Sequence, residues 1–180
     1  MTYSAASRRS NARASQVPPD YARSMSLAVF DIDGVVADVR HRLHHLERRP
    51  MDWGGFFAAA GDDTPLDEGV ALATDLAQRH DVAWLTGRPE WLRATTARWL
   101  ERYALPAGEL FLRGNGDRRP ARLYKLGVLR RLATQEIAAF VDDDAEVVEA
   151  AQLAGYPAVL ADWAPRAPVL RDAQDRLGRT

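Results

Sequence analysis

The sequence predicts an α/β fold: a doubly wound parallel sheet of about five strands, helices on both faces, and minimal or no cap over the rim. Three observations carry this. Short apolar runs recur through the chain, at 27–30, 81–85, 105–112, 136–141 and 158–160. Between them lie stretches with apolar residues at helical spacing. The first, second and fourth runs end abruptly on a polar residue, at Asp31, Thr86 and Asp142. Strands alternating with helices build a parallel sheet with right-handed crossovers. The carboxyl ends of such strands share one rim, where ligands bind.

Composition bounds the function. At 180 residues, 47% of them apolar and 27% charged, the chain has the make-up of one ordinary globular unit. A net charge of −1 gives no global electrostatic reason to coat nucleic acid. The absence of cysteine excludes disulfides, thiolate zinc sites and thiol catalysis. No apolar run approaches the roughly 20 residues needed to span a bilayer. No apolar signal-peptide core opens the chain, so a cytoplasmic location without membrane contact is expected.

Residues 1–25 are rich in Ser, Ala, Arg and Asn, with Pro18-Pro19 near the end, and read as a disordered tail. The first strand, Leu27-Ala-Val-Phe, stops on Asp31, with Asp33 two residues on and Gly34 allowing a sharp turn. An unpaired buried carboxylate is costly, so two acids at a strand end call for a cation. The segment 38–48 carries His41, His44 and His45, whose i, i+3, i+4 spacing can share a helix face. With no adjacent acid or cysteine completing a zinc set, the spacing favours a polar face, with His41 free to contact substrate. Trp53, Phe56 and Phe57 then mark a short helix, as core or as a platform for stacked bases.

A helix follows over 66–79, and the second strand ends in Thr86-Gly87-Arg88-Pro89. A hydroxyl, the amides beside Gly87 and a helix started by Pro89 would together form an anion site, to which Arg88 could add a bidentate phosphate contact. Next come a helix over 90–103, the third strand, and Arg113-Gly-Asn-Gly116-Asp117-Arg-Arg119. Lys125 lies on the following helix, and the fourth strand ends in Asp142-Asp143-Asp144. Three adjacent acids repel one another, so a positive group should hold them. A helix over 145–154 and a last short strand close the unit. The domain is expected over 26–163, with a C-terminal helix or tail over 164–180.

Asp31-Ile-Asp33-Gly34-Val35 resembles the first motif of the haloacid dehalogenase superfamily, most of whose members are magnesium-dependent phosphatases with an aspartate nucleophile. The Thr86-Gly87-Arg88 strand end, Lys125 and the Asp142-Asp143 strand end resemble its second, third and fourth motifs, in order. The resemblance implies Asp31 as nucleophile, Asp33 as acid/base residue, and Thr86 and Lys125 stabilising phosphoryl charge. It also implies Mg2+ held by Asp31, the backbone carbonyl of Asp33 and Asp142, with Asp143 supporting the metal through water or pairing with Lys125; Gly34 leaves room for close approach, and the amides beside Gly87 face the phosphate. Arg113-x-x-Gly116-Asp117-x-Arg119, six residues ahead of Lys125, is similar to the phosphatase domain of polynucleotide kinase–phosphatases. That similarity implies removal of 3′-phosphates from nucleic-acid ends, with Arg88, His41, Arg113 and Arg119 along the rim. No Gly-x-x-x-x-Gly-Lys-[Ser/Thr] phosphate loop occurs, so a kinase half is not expected. The alternatives are a phosphatase of nucleotides or other small phosphoesters, or a binding module without turnover.

Overall fold

The computed structural model describes residues 26–165 and 168–170; the expected tail over 1–25 and most of the C-terminal segment lie outside the described residues. The chain runs β1 (Leu27–Phe30), β2 (Ala37–Asp38), α1 (His44–Glu47), α2 (Trp53–Ala58), β3 (Thr64–Pro65), α3 (Asp67–Leu76), β4 (Asp81–Pro89), α4 (Arg93–Arg102), β5 (Gly108–Arg113), α5 (Ala121–Leu132), β6 (Ile137–Asp142), α6 (Ala145–Leu153) and β7 (Ala158–Leu160). Five strands pair in parallel, as the sequence predicts, and their order is β5-β4-β1-β6-β7. The order reverses at β1. Its carboxyl end, where Asp31 follows Phe30, is therefore the topological switch point of the sheet.

Side-chain alternation along each strand feeds two cores. Leu27 and Val29 of β1, with Ala83 and Leu85 of β4, pack against Tyr124, Val128, Leu129, Val147 and Ala151 of α5 and α6. Ala28 and Phe30, with Val82 and Trp84, pack against Ala73 of α3 and Trp99 and Leu100 of α4. Phe30, Trp84 and Phe140 are essentially inaccessible, and full burial of such a side chain is worth about 1.5–3 kcal/mol. A sheet buried on both faces holds its strand ends rigidly.

Two expectations shift. The helix expected from residue 90 opens as a 3-10 turn, Glu90–Leu92, and α4 begins only at Arg93. The cause is Pro89, held extended (φ −69°, ψ 152°) as the last residue of β4. Between β1 and α3 the chain also forms a small antiparallel ribbon, β2 on β3, with the short helices α1 and α2. Val39, Leu46, Phe56 and Phe57 pack with Leu92 and Leu112 into a third, smaller core that fixes this excursion beside the rim.

Candidate active site

Three carboxylates meet where β1 and β6 end. Asp31, Asp142 and Asp143 are buried and offer ligand oxygens all within 4.8 Å of one another. Parallel pairing brings them together: Phe30 pairs with Val141, and the Asp31 amide donates to the Val141 carbonyl at 2.9 Å. Gly34 turns with φ +78°, and a Cβ there would stand 2.4 Å from Asp143 Oδ2. A side chain at 34 would collide with the cluster.

Lys125 projects into it from α5 and is 1% exposed. Its Nζ donates to Asp31 Oδ2 at 2.6 Å and to Asp142 Oδ2 at 2.7 Å. Burial disfavours its charge, but Asp142 and Asp31 outweigh burial and raise its pKa. Burial pushes Asp31 up to about 7 against the pull of Lys125, and it raises Asp142 likewise. The cluster is short of positive charge. An all-oxygen set of carboxylates is the donor chemistry of a hard divalent cation, so the residues fit magnesium. Asp144 is spent differently: its Oδ1 caps α6, accepting from the amides of Glu146 at 2.9 Å and Val147 at 3.4 Å. The positive group expected for the acid triplet is thus Lys125 for Asp142 and a helix N-terminus for Asp144.

Asp33 turns away from this cluster into a second one. Its Oδ1 accepts from Arg88 Nη2 at 2.5 Å, Arg88 Nε at 2.9 Å and Arg42 Nη2 at 2.9 Å. Both arginines also bind Asp63, Arg42 through Nε and Nη2 at 2.8 Å each and Arg88 through Nη2 at 2.7 Å. Burial alone would raise the Asp33 pKa, but the Arg42 and Arg88 guanidiniums outweigh it and hold the carboxyl below its ordinary value. For Asp63 burial wins and the pKa rises. Asp33 Oδ2 takes no hydrogen bond from the described residues. One oxygen is clamped by the two arginines, and the other is claimed by neither.

Arg88 therefore departs from expectation. Rather than reaching out for phosphate, its guanidinium is fully buried and donates to Asp33, Asp63 and, at 3.5 Å, Thr96 Oγ1. Two buried carboxylates require counter-charges, and Arg88 lies between them. The anion site imagined at a helix beginning with Pro89 is likewise displaced, because α4 starts four residues later. Thr86 is buried at the rim, its Oγ1 accepting from the Arg88 amide at 3.2 Å, with Gly87 between them.

The remaining expected contacts divide. His41, half-exposed, bonds Asp63 Oδ1 through Nε2 at 2.8 Å, while His45 bonds Asp52, so the three histidines do not converge on one site. Arg113 is buried over the Tyr124 ring at 4.5 Å and donates to the Arg119 carbonyl at 2.6 Å. Arg119 is exposed and forks onto Asp117, whose pKa it lowers to about 2. Arg42 and Asp63 escape sequence reasoning altogether. The one available signal is the demand of Asp33 for a buried counter-charge, and that demand does not say which arginine answers it.

A sequence profile of the polynucleotide kinase PNKP phosphatase domain matches residues 25–159, most of the chain. Among solved structures, the chain superposes on one from a Pnkp1/Rnl/Hen1 RNA repair complex with a TM-score of 0.65 and 19% identity over 82% of its length. A second structure of that complex gives 0.64 and 18% over 76%. The match spans only 46% and 45% of those two chains. A haloacid dehalogenase-like hydrolase from Streptococcus pneumoniae gives 0.58 and 12%, covering 85% of this chain and 92% of that one. At such identities these structures speak for the fold alone. No curated protein matches the sequence. Profile, fold and rim together show that the chain belongs to the polynucleotide kinase PNKP phosphatase-domain family and is a phosphatase of haloacid dehalogenase type.

Proposed function

We propose that this phosphatase removes 3′-phosphates from nucleic-acid ends through an aspartyl-phosphate on Asp31, with Mg2+ as cofactor and 26–163 as the catalytic unit. The observation that carries the reading is the division of the two acids of Asp31-Ile-Asp33. One lies in a metal-type carboxylate cluster against Lys125, and the other is clamped by arginines with one oxygen open.

In the first half-reaction an Asp31 carboxylate oxygen attacks phosphorus, and the bond to the leaving 3′-oxygen breaks. Asp33 gives that oxygen a proton. In the free protein Arg42 and Arg88 keep Asp33 ionised, so the incoming phosphate dianion must supply the negative field that lets it take a proton first. In the second half-reaction Asp33 Oδ2 accepts a proton from water, which attacks the aspartyl-phosphate and frees Asp31. Thr86, the amides at Gly87 and Lys125 stabilise phosphoryl charge. Asp31, Asp142 and Asp143, with the Asp33 carbonyl, would hold magnesium. When bound, it supplies neutralisation of charge between carboxylate and phosphate.

The polynucleotide substrate is supported by the family match and by the small excursion over 37–65, which is too short to close over a small ligand. An open site gains affinity from contacts along the substrate. A 3′-phosphorylated oligonucleotide should therefore exceed the matching mononucleotide 3′-phosphate in kcat/KM. That advantage should shrink as salt rises, since neutralised phosphates release counterions, and Arg119→Ala should cost the oligonucleotide more. Equal efficiency on both substrates at all salt concentrations would favour a small-phosphoester phosphatase, the reading that the near-neutral net charge supports.

A further inference from the structure

A cleft of about 190 Å3 opens on the rim of the sheet, between α2, the end of β4 and the loop after β5. One wall is aromatic. Trp91 is 55% exposed, and its ring meets that of Phe57 edge to face at 6.0 Å, while Trp53 lies 5.8 Å from Phe57 on the other side. The β5 loop contributes polar lining, with Arg113, Asn115, Asp117 and Arg118. Asn115 Oδ1 accepts from the Trp91 amide at 3.2 Å, which ties the β5 loop to the segment carrying the indole.

An exposed tryptophan with its backbone anchored is an unusual use of surface, because it leaves a rigid flat apolar face in water. Pockets that enclose drug-sized ligands run to about 300–1,000 Å3, so this one takes a single ring system rather than a whole molecule. Arg113, which lines the cleft, stands over the ring of Tyr124 at 4.5 Å, and Tyr124 precedes Lys125 on α5. The acid in the cleft, Asp117, is neutralised by the fork of Arg119 and does not repel an anion. Arg118 is exposed and takes no part in the ion pairs of the described residues, so its charge is available to a phosphodiester.

We infer that this cleft receives the terminal nucleobase of the substrate, stacked on Trp91 against the Phe57–Trp53 wall, with Arg118 and Asn115 facing its polar edge or the adjoining phosphodiester. The inference rests on the polynucleotide reading above and specifies what the site grips next to the 3′-phosphate. Stacking accepts any base, so the grip is on the presence of a base rather than on its identity.

The test compares kcat/KM for a 3′-phosphorylated trinucleotide and for the same molecule with an abasic 3′-terminal sugar, using wild type, Trp91→Ala and Trp91→Phe. Removing the base should cost wild type roughly five- to a hundredfold, the range expected for one stacked base. Trp91→Ala should show a similar loss on the intact substrate and at least fivefold less on the abasic one, while Trp91→Phe keeps most of the wild-type efficiency. Equal loss on both substrates would make Trp91 a support of the fold and overturn the inference while leaving the 3′-phosphatase reading standing. Turnover of acetyl phosphate with none of either oligonucleotide would overturn that reading and this inference with it.

Discussion

Lys125 Nζ lies 2.6 Å from Asp31 Oδ2 and 2.7 Å from Asp142 Oδ2, so one ammonium bridges the ends of two adjacent parallel strands. The pair is buried, and its members are 94 residues apart in sequence. Removing one partner of a buried ion pair costs about 3–5 kcal/mol, because the other charge is left uncompensated. Lys125→Met should therefore abolish phosphatase activity and lower the Tm. The drop should be larger in chelator than in millimolar Mg2+, since a bound cation would replace part of the lost charge. An identical drop under both conditions, read by calorimetry, would separate Lys125 from the cation site.

Asp33 gives the pH prediction. Its folded-state pKa lies below the ordinary 3.8, because Arg42 and Arg88 outweigh burial. A depressed carboxyl contributes stability that is complete above the unfolded pKa and fades as pH falls through the folded one. The stability difference between wild type and Asp33→Asn should therefore be constant above about pH 5 and shrink as pH falls from about 4 towards 2. Urea denaturation across that range measures it; a difference that ignored pH would mean the arginines do not hold Asp33 ionised.

Gly34→Ala places a Cβ 2.4 Å from Asp143 Oδ2 on a backbone at φ +78°. Asp143 must move, and it belongs to the carboxylate cluster. The Mg2+ concentration giving half-maximal activity should rise severalfold, with a smaller change in kcat at saturating metal. An unchanged metal requirement would remove Asp143 from the ligand set.

Asp63 binds no substrate in this account; it supports Asp33 through the two arginines it shares with it. Asp63→Ala should cost about 3–5 kcal/mol and lower kcat more than it changes KM. His41→Ala removes only a half-exposed partner of the same carboxylate and should cost less than about 1 kcal/mol. Equal losses from the two substitutions would contradict the description of Asp63 as a member of the buried cage that it forms with Asp33, Arg42 and Arg88.

What the sequence shows of this molecule follows from where the physics is local. Strands buried on both faces read as apolar runs, and their polar ends mark the rim, so the sheet and the positions of Asp31, Thr86 and Asp142 are legible. Lys125 has no such signature; only motif order singles it out. The cage around Asp33 is illegible because Arg42, Arg88 and Asp63 are 9, 55 and 30 residues from Asp33, with no periodicity joining them. Arg88 is hard to read for a related reason: a strand-end arginine reads as outward-facing, and the buried acids that claim it, Asp33 and Asp63, are distant in sequence. The β2–β3 ribbon has two residues per strand, below the length at which alternation can be read.

In the proposed reaction Asp31 carries the phosphoryl group. The most direct measurement is rapid acid quenching of the Mg2+-loaded protein during turnover of a 3′-phosphorylated oligonucleotide, followed by peptide mass mapping. A phosphoryl adduct on Asp31, absent in Asp31→Asn, is the predicted result. An adduct on another side chain, with the Asp31 peptide unmodified, would contradict it.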